Sequence, residues 1–228
     1  MNIHSATTKG PNKKINQDFY GISKQINFTL LIVADGLGSA INSDFGSKTA
    51  VRAVEKAIIQ WRKLNNKNNK VLIQLIHFFW NLLISDSKYE KKDCSTTCLF
   101  AYIDKKNKKL LLGQLGDGIV LYKSKKKIAI LQSKDEYNYT KSLGSSKYFN
   151  DWNIKEVDFE IDFELFLATD GVSEDLKDNE KFVTLLINNL SDIKKNKRNK
   201  ALKQLLEEWP TKHHSDDKTI CIAWKNKK

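Results

Sequence analysis

Four short apolar runs, far apart in the chain, each have an aspartate at one edge: Asp35 closes residues 30–34, Asp117 follows 110–115, Asp170 closes 165–169 and Asp216 stands just before 219–224. Runs this apolar do not suit surface loops and read as buried strands. Each nevertheless carries a charge at its edge that is costly to bury without a partner. Three of the aspartates are followed by glycine, at Gly36, Gly118 and Gly171, which lets the backbone turn sharply and approach an ion or a phosphate. A single Asp-Gly pair is an ordinary turn signal. Four aspartates at strand edges form a set whose burial cost one shared cation would relieve. Carboxylates and exposed backbone carbonyls are hard oxygen ligands, the kind that magnesium and manganese prefer. The chain therefore reads as built around a carboxylate metal site.

The rest of the pattern places that site in a layered fold. Val51, Val54, Ile58 and Trp61 recur at helical spacing after the cap candidates Asn42 and Ser43, which predicts an amphipathic helix over about 44–63. Leu72, Leu75, Ile76, Phe79, Leu82 and Leu83 repeat the pattern, and the polar stretch 65–70 joins the two helices as an antiparallel hairpin. Strands are expected at 28–34, 98–103, 110–115, 119–123 and 128–131, with lysine-rich turns between them, and the central ones read as a meander. After the irregular segment 132–151 come strands at 154–159 and 164–168, then helices near 180–190 and 200–209. Pro210 stops the last helix, and a strand at 219–224 follows. This order fits an α+β sandwich with helices on both outer faces, and the 228 residues, without internal repeat or linker, are expected to form a single domain, 1–228.

The net charge of +12 raises nucleic acid or an anionic membrane as partners. Against nucleic acid, only Arg52, Arg62 and Arg198 are arginines among 39 basic residues, and no aromatic interleaving marks a single-strand groove. The lysine clusters at 105–109, 123–127 and 194–200 sit between apolar runs, as solvated turns and helix ends do. Against a membrane, residues 1–10 contain no apolar signal core, and Gln74, His77 and Asn81 interrupt the most apolar helical stretch. Cys94, Cys98 and Cys221 lack the paired spacing of a zinc site and read as reduced thiols. A cytoplasmic location is expected.

Six motifs then occur in one order: Asn16-Gln17-Asp18, Ala34-Asp35-Gly36-Leu37-Gly38, Ser95-Thr96-Thr97, Gly116-Asp117-Gly118, Ala168-Thr169-Asp170-Gly171 and Asp216-Asp217-Lys218-Thr219. The series resembles that of the metal-dependent, type 2C (PPM) class of Ser/Thr protein phosphatases over nearly the whole chain. The resemblance implies a four-layer αββα sandwich of two antiparallel sheets flanked by helix pairs, with the metal site in a cleft at one end. By that likeness Asp35 bridges two Mn2+ or Mg2+ ions, Gly36 adds its carbonyl oxygen, Asp170 and Asp216 complete the first ion's ligands, Asp18 supports the metals and their water, and Asp117 joins Asp170 at a weaker third ion. The implied catalytic set is Asp18, Asp35, Asp170 and Asp216. The implied activity is hydrolysis of phosphoserine and phosphothreonine in proteins, opposed by a Ser/Thr kinase, with a metal-activated water as attacking group.

The residues agree in excluding other routes. No cysteine is followed six residues later by the arginine of a cysteine-phosphatase loop, and no Asp-x-Asp pair, Walker-type loop or Gly-x-Ser-x-Gly elbow occurs. Four positions depart from the family pattern. Gln17 stands where a glutamate ligand is usual, and Lys13 where a phosphate-binding arginine is usual, with Lys9 as the competing candidate. Leu37 replaces a histidine or methionine, and Gly118 a serine. The departures at Gln17 and Lys13 support an alternative, a catalytically weak regulatory module that binds phosphorylated partners. His77 reads as a core or boundary residue, His213 and His214 as a loop before the last strand, and the hydroxyls of Ser95, Thr96 and Thr97 as structural.

Overall fold

The computed structural model describes residues 1–133, 140–210 and 215–225. In chain order its elements are β1 (Asn2–Thr8), β2 (Asp18–Lys24), β3 (Phe28–Asp35), α1 (Ser43–Trp61), α2 (Asn69–Ser85), β4 (Cys98–Asp104), β5 (Lys109–Leu115), β6 (Ile119–Ser124), β7 (Ile128–Gln132), β8 (Asn153–Asp158), β9 (Phe163–Ala168), α3 (Asp170–Ser173), α4 (Asn179–Asp192), α5 (Arg198–Glu207) and β10 (Lys218–Lys225). The strands form two antiparallel five-stranded sheets, in the orders β1-β10-β9-β6-β7 and β2-β3-β4-β5-β8.

Three apolar interfaces separate four layers. Leu30, Ile32 and Phe100 pack under the helix pair α1–α2 against Val54, Ile58, Ile76 and Trp80. Leu31, Val33, Leu99 and Ala101 face the other sheet and meet Leu165, Leu167, Cys221 and Ala223. On the far side, Phe166, Ile220 and Ile222 pack against Val183 and Ile187 of α4 and Leu202 and Leu206 of α5. Successive residues of β3 therefore enter different interfaces, because side chains alternate across a strand. Both faces are dry, which explains why such strands read as unbroken apolar runs rather than alternating ones. Each large aliphatic side chain buried this way contributes about 1.5–3 kcal/mol. The order α, β, β, α is the layering that the family likeness implies.

Two expectations need correction. Strands β1 and β2 were not anticipated. Both are edge strands with polar sequences, NIHSATT and DFYGISK, so the apolar signal that marks the central strands is missing from them. The central strands are also not one meander. Strands β4 and β5 pair, but the chain then crosses to the other sheet, where β6 pairs with β7 and β9. Apolar runs and lysine-rich turns carry no information about which sheet a strand joins. The crossing is made at Gly116-Asp117-Gly118, with both glycines at φ 88°, a left-handed conformation that favours glycine. At Gly118 a Cβ would also stand 2.6 Å from the carbonyl oxygen of Ala168. The turn thus requires a glycine after Asp117 and holds that aspartate at the end of both sheets.

Candidate metal centre

The strands deliver their terminal residues to one end of the sandwich. Asp18, the first residue of β2, is the register partner of Asp35, the last of β3. Asp170 begins α3 directly after β9, Asp117 lies in the crossing turn, and Asp216 precedes β10. Carboxylate oxygens of Asp35, Asp117 and Asp170 all lie within 4.8 Å of one another. These three, with Gly36, Asp216 and Lys13, line a cavity of about 140 Å³. Asp18 is only 3% exposed. Lys9 is exposed, and its ammonium donates to the carbonyl oxygen of Lys13, so it supports the loop that carries the other lysine.

Threonines fix the acidic residues. The carbonyl oxygen of Asp35 accepts from Thr96 Oγ1 at 2.8 Å and from the Thr97 backbone N–H at 2.8 Å, while its own N–H donates to Thr97 Oγ1 at 2.9 Å. Thr169 Oγ1 donates to Asp18 Oδ2 at 2.9 Å and accepts from the Thr219 N–H at 3.0 Å. Thr140 Oγ1 donates to Asp117 Oδ2 at 2.7 Å, and the Gly171 N–H donates to Asp170 Oδ1 at 2.6 Å. Gly36 is needed for close approach, since a Cβ there would lie 2.6 Å from the Ser43 carbonyl oxygen.

Two of these carboxyls, Asp18 and Asp35, resist ionisation. Burial, then the negative charges of Asp18 and Asp170, push Asp35 well above the ordinary aspartate value. Burial likewise raises Asp18, to about 7, although hydrogen bonds from Asp35, Thr219 and Thr169 oppose the shift. Asp18 Oδ1 is buried without a hydrogen-bond partner among the described residues. An orphaned buried oxygen beside three converging carboxylates is a donor set that fits a hard divalent cation or a water held by one. The cysteines offer no competing soft site: burial raises Cys94 to about 11 and raises Cys98 and Cys221 further.

Lys13 Nζ lies 3.5 Å from Asp216 Oδ1 and 3.7 Å from Asp217 Oδ2, and donates to Gln17 Oε1 at 3.3 Å. Burial alone would lower the lysine, but the charges of Asp217, Asp35, Asp216 and Asp18 outweigh it and raise it. Asp217, which the sequence marks only as part of the motif at 216–219, has a structural part in this loop. Its two oxygens accept the N–H groups of Gly10, at 2.7 Å, and Gln17, at 2.8 Å, and so clamp the loop that carries Lys13. The doubled aspartate at 216–217 was its available signal.

Leu37 lies at the mouth of the cavity, where its N–H donates to the Ser95 carbonyl at 3.0 Å. Leu37, Gly38 and Thr140 also line a second, neighbouring cavity of about 320 Å³, completed by Ser39, Ser95, Ser142 and Ser145. His77 accepts a hydrogen bond from Trp152 Nε1 at 3.1 Å, and burial lowers it to about 4. It lies in the packing of α2 and does not line the carboxylate cavity. His213 and His214 lie outside the described residues.

Residues 8–207 match the family model described as protein phosphatase 2C. A search of curated protein sequences gives no match. Among solved structures the chain is similar to a bacterial serine phosphatase, with 20% identity, a TM-score of 0.67 and coverage of 100% of this chain and 99% of that one. It is also similar to the S. agalactiae serine/threonine phosphatase, with 15% identity, a TM-score of 0.69 and coverage of 98% and 99%. RsbX in complex with magnesium shares 13% identity, with a TM-score of 0.64 over 96% of this chain and 92% of that one. At these identities the likeness establishes the fold alone.

Proposed function

This chain belongs to the protein phosphatase 2C family, and on that premise we propose that it is a metal-dependent phosphatase of phosphoserine and phosphothreonine in proteins. The observation that carries this reading is the meeting of Asp35, Asp117 and Asp170 beside the orphaned oxygen of Asp18. The donor set suits Mn2+ or Mg2+, and one similar structure is a magnesium complex. When bound, such ions supply a water of lowered pKa and neutralise charge on the phosphoryl oxygens.

The protein's own contribution is placement. Asp35, Asp117, Asp170, Asp216 and the Gly36 carbonyl would hold the ions. Asp18 would orient the attacking water by accepting its proton-bearing side at Oδ1. Lys13 would meet the phosphate as a point charge, without the two-pronged grip of an arginine. The hydroxyl-lined cavity next door leaves room for peptide flanking the phosphorylated residue. Phosphoproteins made by a Ser/Thr kinase are the proposed substrates, and the cytoplasm the proposed location. Among the described residues no helix is long and apolar enough to cross a membrane.

A second reading, a regulatory module of low activity, is favoured by Gln17 and Lys13 alone. Phosphate release from a phosphothreonine peptide separates the two. Turnover that appears with Mn2+ or Mg2+ and disappears with a chelator is expected. Peptide binding without turnover at any metal concentration would favour the regulatory module.

A further inference from the structure

The dry interface between the two sheets stays open at the end away from the carboxylates. A cavity of about 240 Å³ there is lined by Met1, Ile103, Phe159, Ile161 and Phe163, with Lys105 and Lys225 as its charged residues. Lys225 ends β10 and Phe163 begins β9, whereas Asp216 precedes β10 and Asp170 follows β9. Roughly 17 Å of strand β9 therefore separates the two sites. The walls are fixed. Ile103 and Phe163 belong to the core between the sheets, and the rings of Phe159 and Phe163 meet edge to face with centroids 4.8 Å apart. The Phe159 N–H donates to the Lys108 carbonyl at 2.8 Å, and the Glu160 N–H to the Tyr122 hydroxyl at 3.0 Å. Charge at the mouth is of one sign. The Lys105 ammonium donates to the Gln25 carbonyl, an uncharged partner, and among the described residues no carboxylate lines the cavity. Asp158 and Asp162, on the segment that carries Phe159 and Ile161, pair with other lysines: Asp158 with Lys109 and Lys127, Asp162 with Lys125. Burial, then the positive charges of Lys225, Lys24, Lys195 and Lys105, lower the Met1 amino group, and burial, then Lys24, lower Lys105.

We propose that this cavity binds a short amphipathic anion, a straight alkyl carboxylate whose tail enters between the sheets and whose head meets Lys105 and Lys225. Stacked sheets lie about 10 Å apart, which leaves a slot suited to a slender chain. The volume falls below the roughly 300–1,000 Å³ of sites for drug-sized ligands, so the chain is short. Burial of the tail supplies the affinity, and the carboxylate meets two lysines that form no ion pair among the described residues. The inference does not rest on the metal-dependent reading, because this cavity shares no residue with the carboxylate one.

The test titrates the full, chelated chain with hexanoate, octanoate and decanoate below their micelle concentrations and reads the isoleucine methyl signals and that of the single methionine by NMR. Saturable shifts are expected at Met1, Ile103 and Ile161, with binding about fourfold tighter for each added methylene until the chain outgrows the cavity. Octanol, which has the tail without the charge, is expected to bind more weakly than octanoate. That gap should close in Lys105→Gln combined with Lys225→Gln; Lys225→Gln alone, at an exposed position, should narrow it if circular dichroism shows that the double variant does not fold. Ile161→Asp, at a residue 58% exposed, puts a like charge at the mouth and should abolish the shifts. Absence of saturable shifts with all three carboxylates would overturn the inference, and so would equal binding of octanoate and octanol by wild type.

Discussion

Asp18 and Asp35 are register partners on adjacent antiparallel strands, so the first residue of β2 and the last of β3 bring their side chains to the same face at the same end of the sheet. Two carboxyls placed this way in a dry setting are a liability unless a proton or a cation lies between them. The chain keeps both: Thr169 Oγ1 donates to the Asp18 carboxylate, and Thr96 and Thr97 hold the backbone of Asp35.

The first prediction concerns pH. Asp18 and Asp35 have raised pKa values in the folded chain, Asp18 near 7 against an ordinary value of 3.8. Between those limits the folded state holds more protons than the unfolded state, so stability from these groups is lost as pH rises through that window. Chelated protein should melt at a lower temperature at pH 7.5 than at pH 5, and Mn2+ should raise the melting temperature more at pH 7.5. Asp18→Asn should flatten the pH slope. Thermal melts with and without Mn2+ at the two pH values decide the point, and an equal gain at both contradicts it.

Lys13→Ala should raise KM for a phosphopeptide more than it lowers kcat, because a point charge on the phosphate acts on substrate binding as well as on reaction. Lys9→Ala should change KM little, since that ammonium is engaged with the Lys13 carbonyl. Steady-state kinetics on the two variants test the assignment, and a larger effect at Lys9 reverses it.

Asp217→Asn should destabilise the chain by about 1–3 kcal/mol, because the amide can replace only one of the two acceptors that Gly10 and Gln17 use. Denaturant unfolding measures the loss. An unchanged midpoint would show that the clamp contributes nothing.

Gly118→Ala should cost more than about 1 kcal/mol, since φ is 88° there and the added Cβ would meet the Ala168 carbonyl. The turn holds Asp117, so Mn2+ affinity should fall with stability. A variant as stable as wild type, with full Mn2+ affinity, would remove the crossing turn from the account.

The parts of this fold that were legible in the sequence are those where burial is two-sided. Strands β3, β5 and β9 are dry on both faces, and their unbroken apolar runs lead to Asp35, Asp117 and Asp170, the aspartates that meet in space. Strands β1 and β2 lie at sheet edges, where polar residues are tolerated, and so gave no such signal. The passage of β6 into the opposite sheet depends on two left-handed glycines, and an Asp-Gly pair reads equally well as a hairpin turn. Asp35, Asp117 and Asp170 converge, whereas Asp216 pairs with Lys13 at 3.5 Å, a difference that spacing in the sequence does not encode. Asp217 was hidden because its partners are backbone N–H groups 207 and 200 positions away.

The central claim is most directly tested by Mn2+-dependent phosphate release from a phosphothreonine peptide, comparing wild type with Asp35→Asn. Loss of a carboxylate that faces the ions should cost at least about 100-fold, the upper end of what removing a mere supporting residue costs. Turnover of the asparagine variant equal to wild type, at the same Mn2+ concentration, would contradict the account.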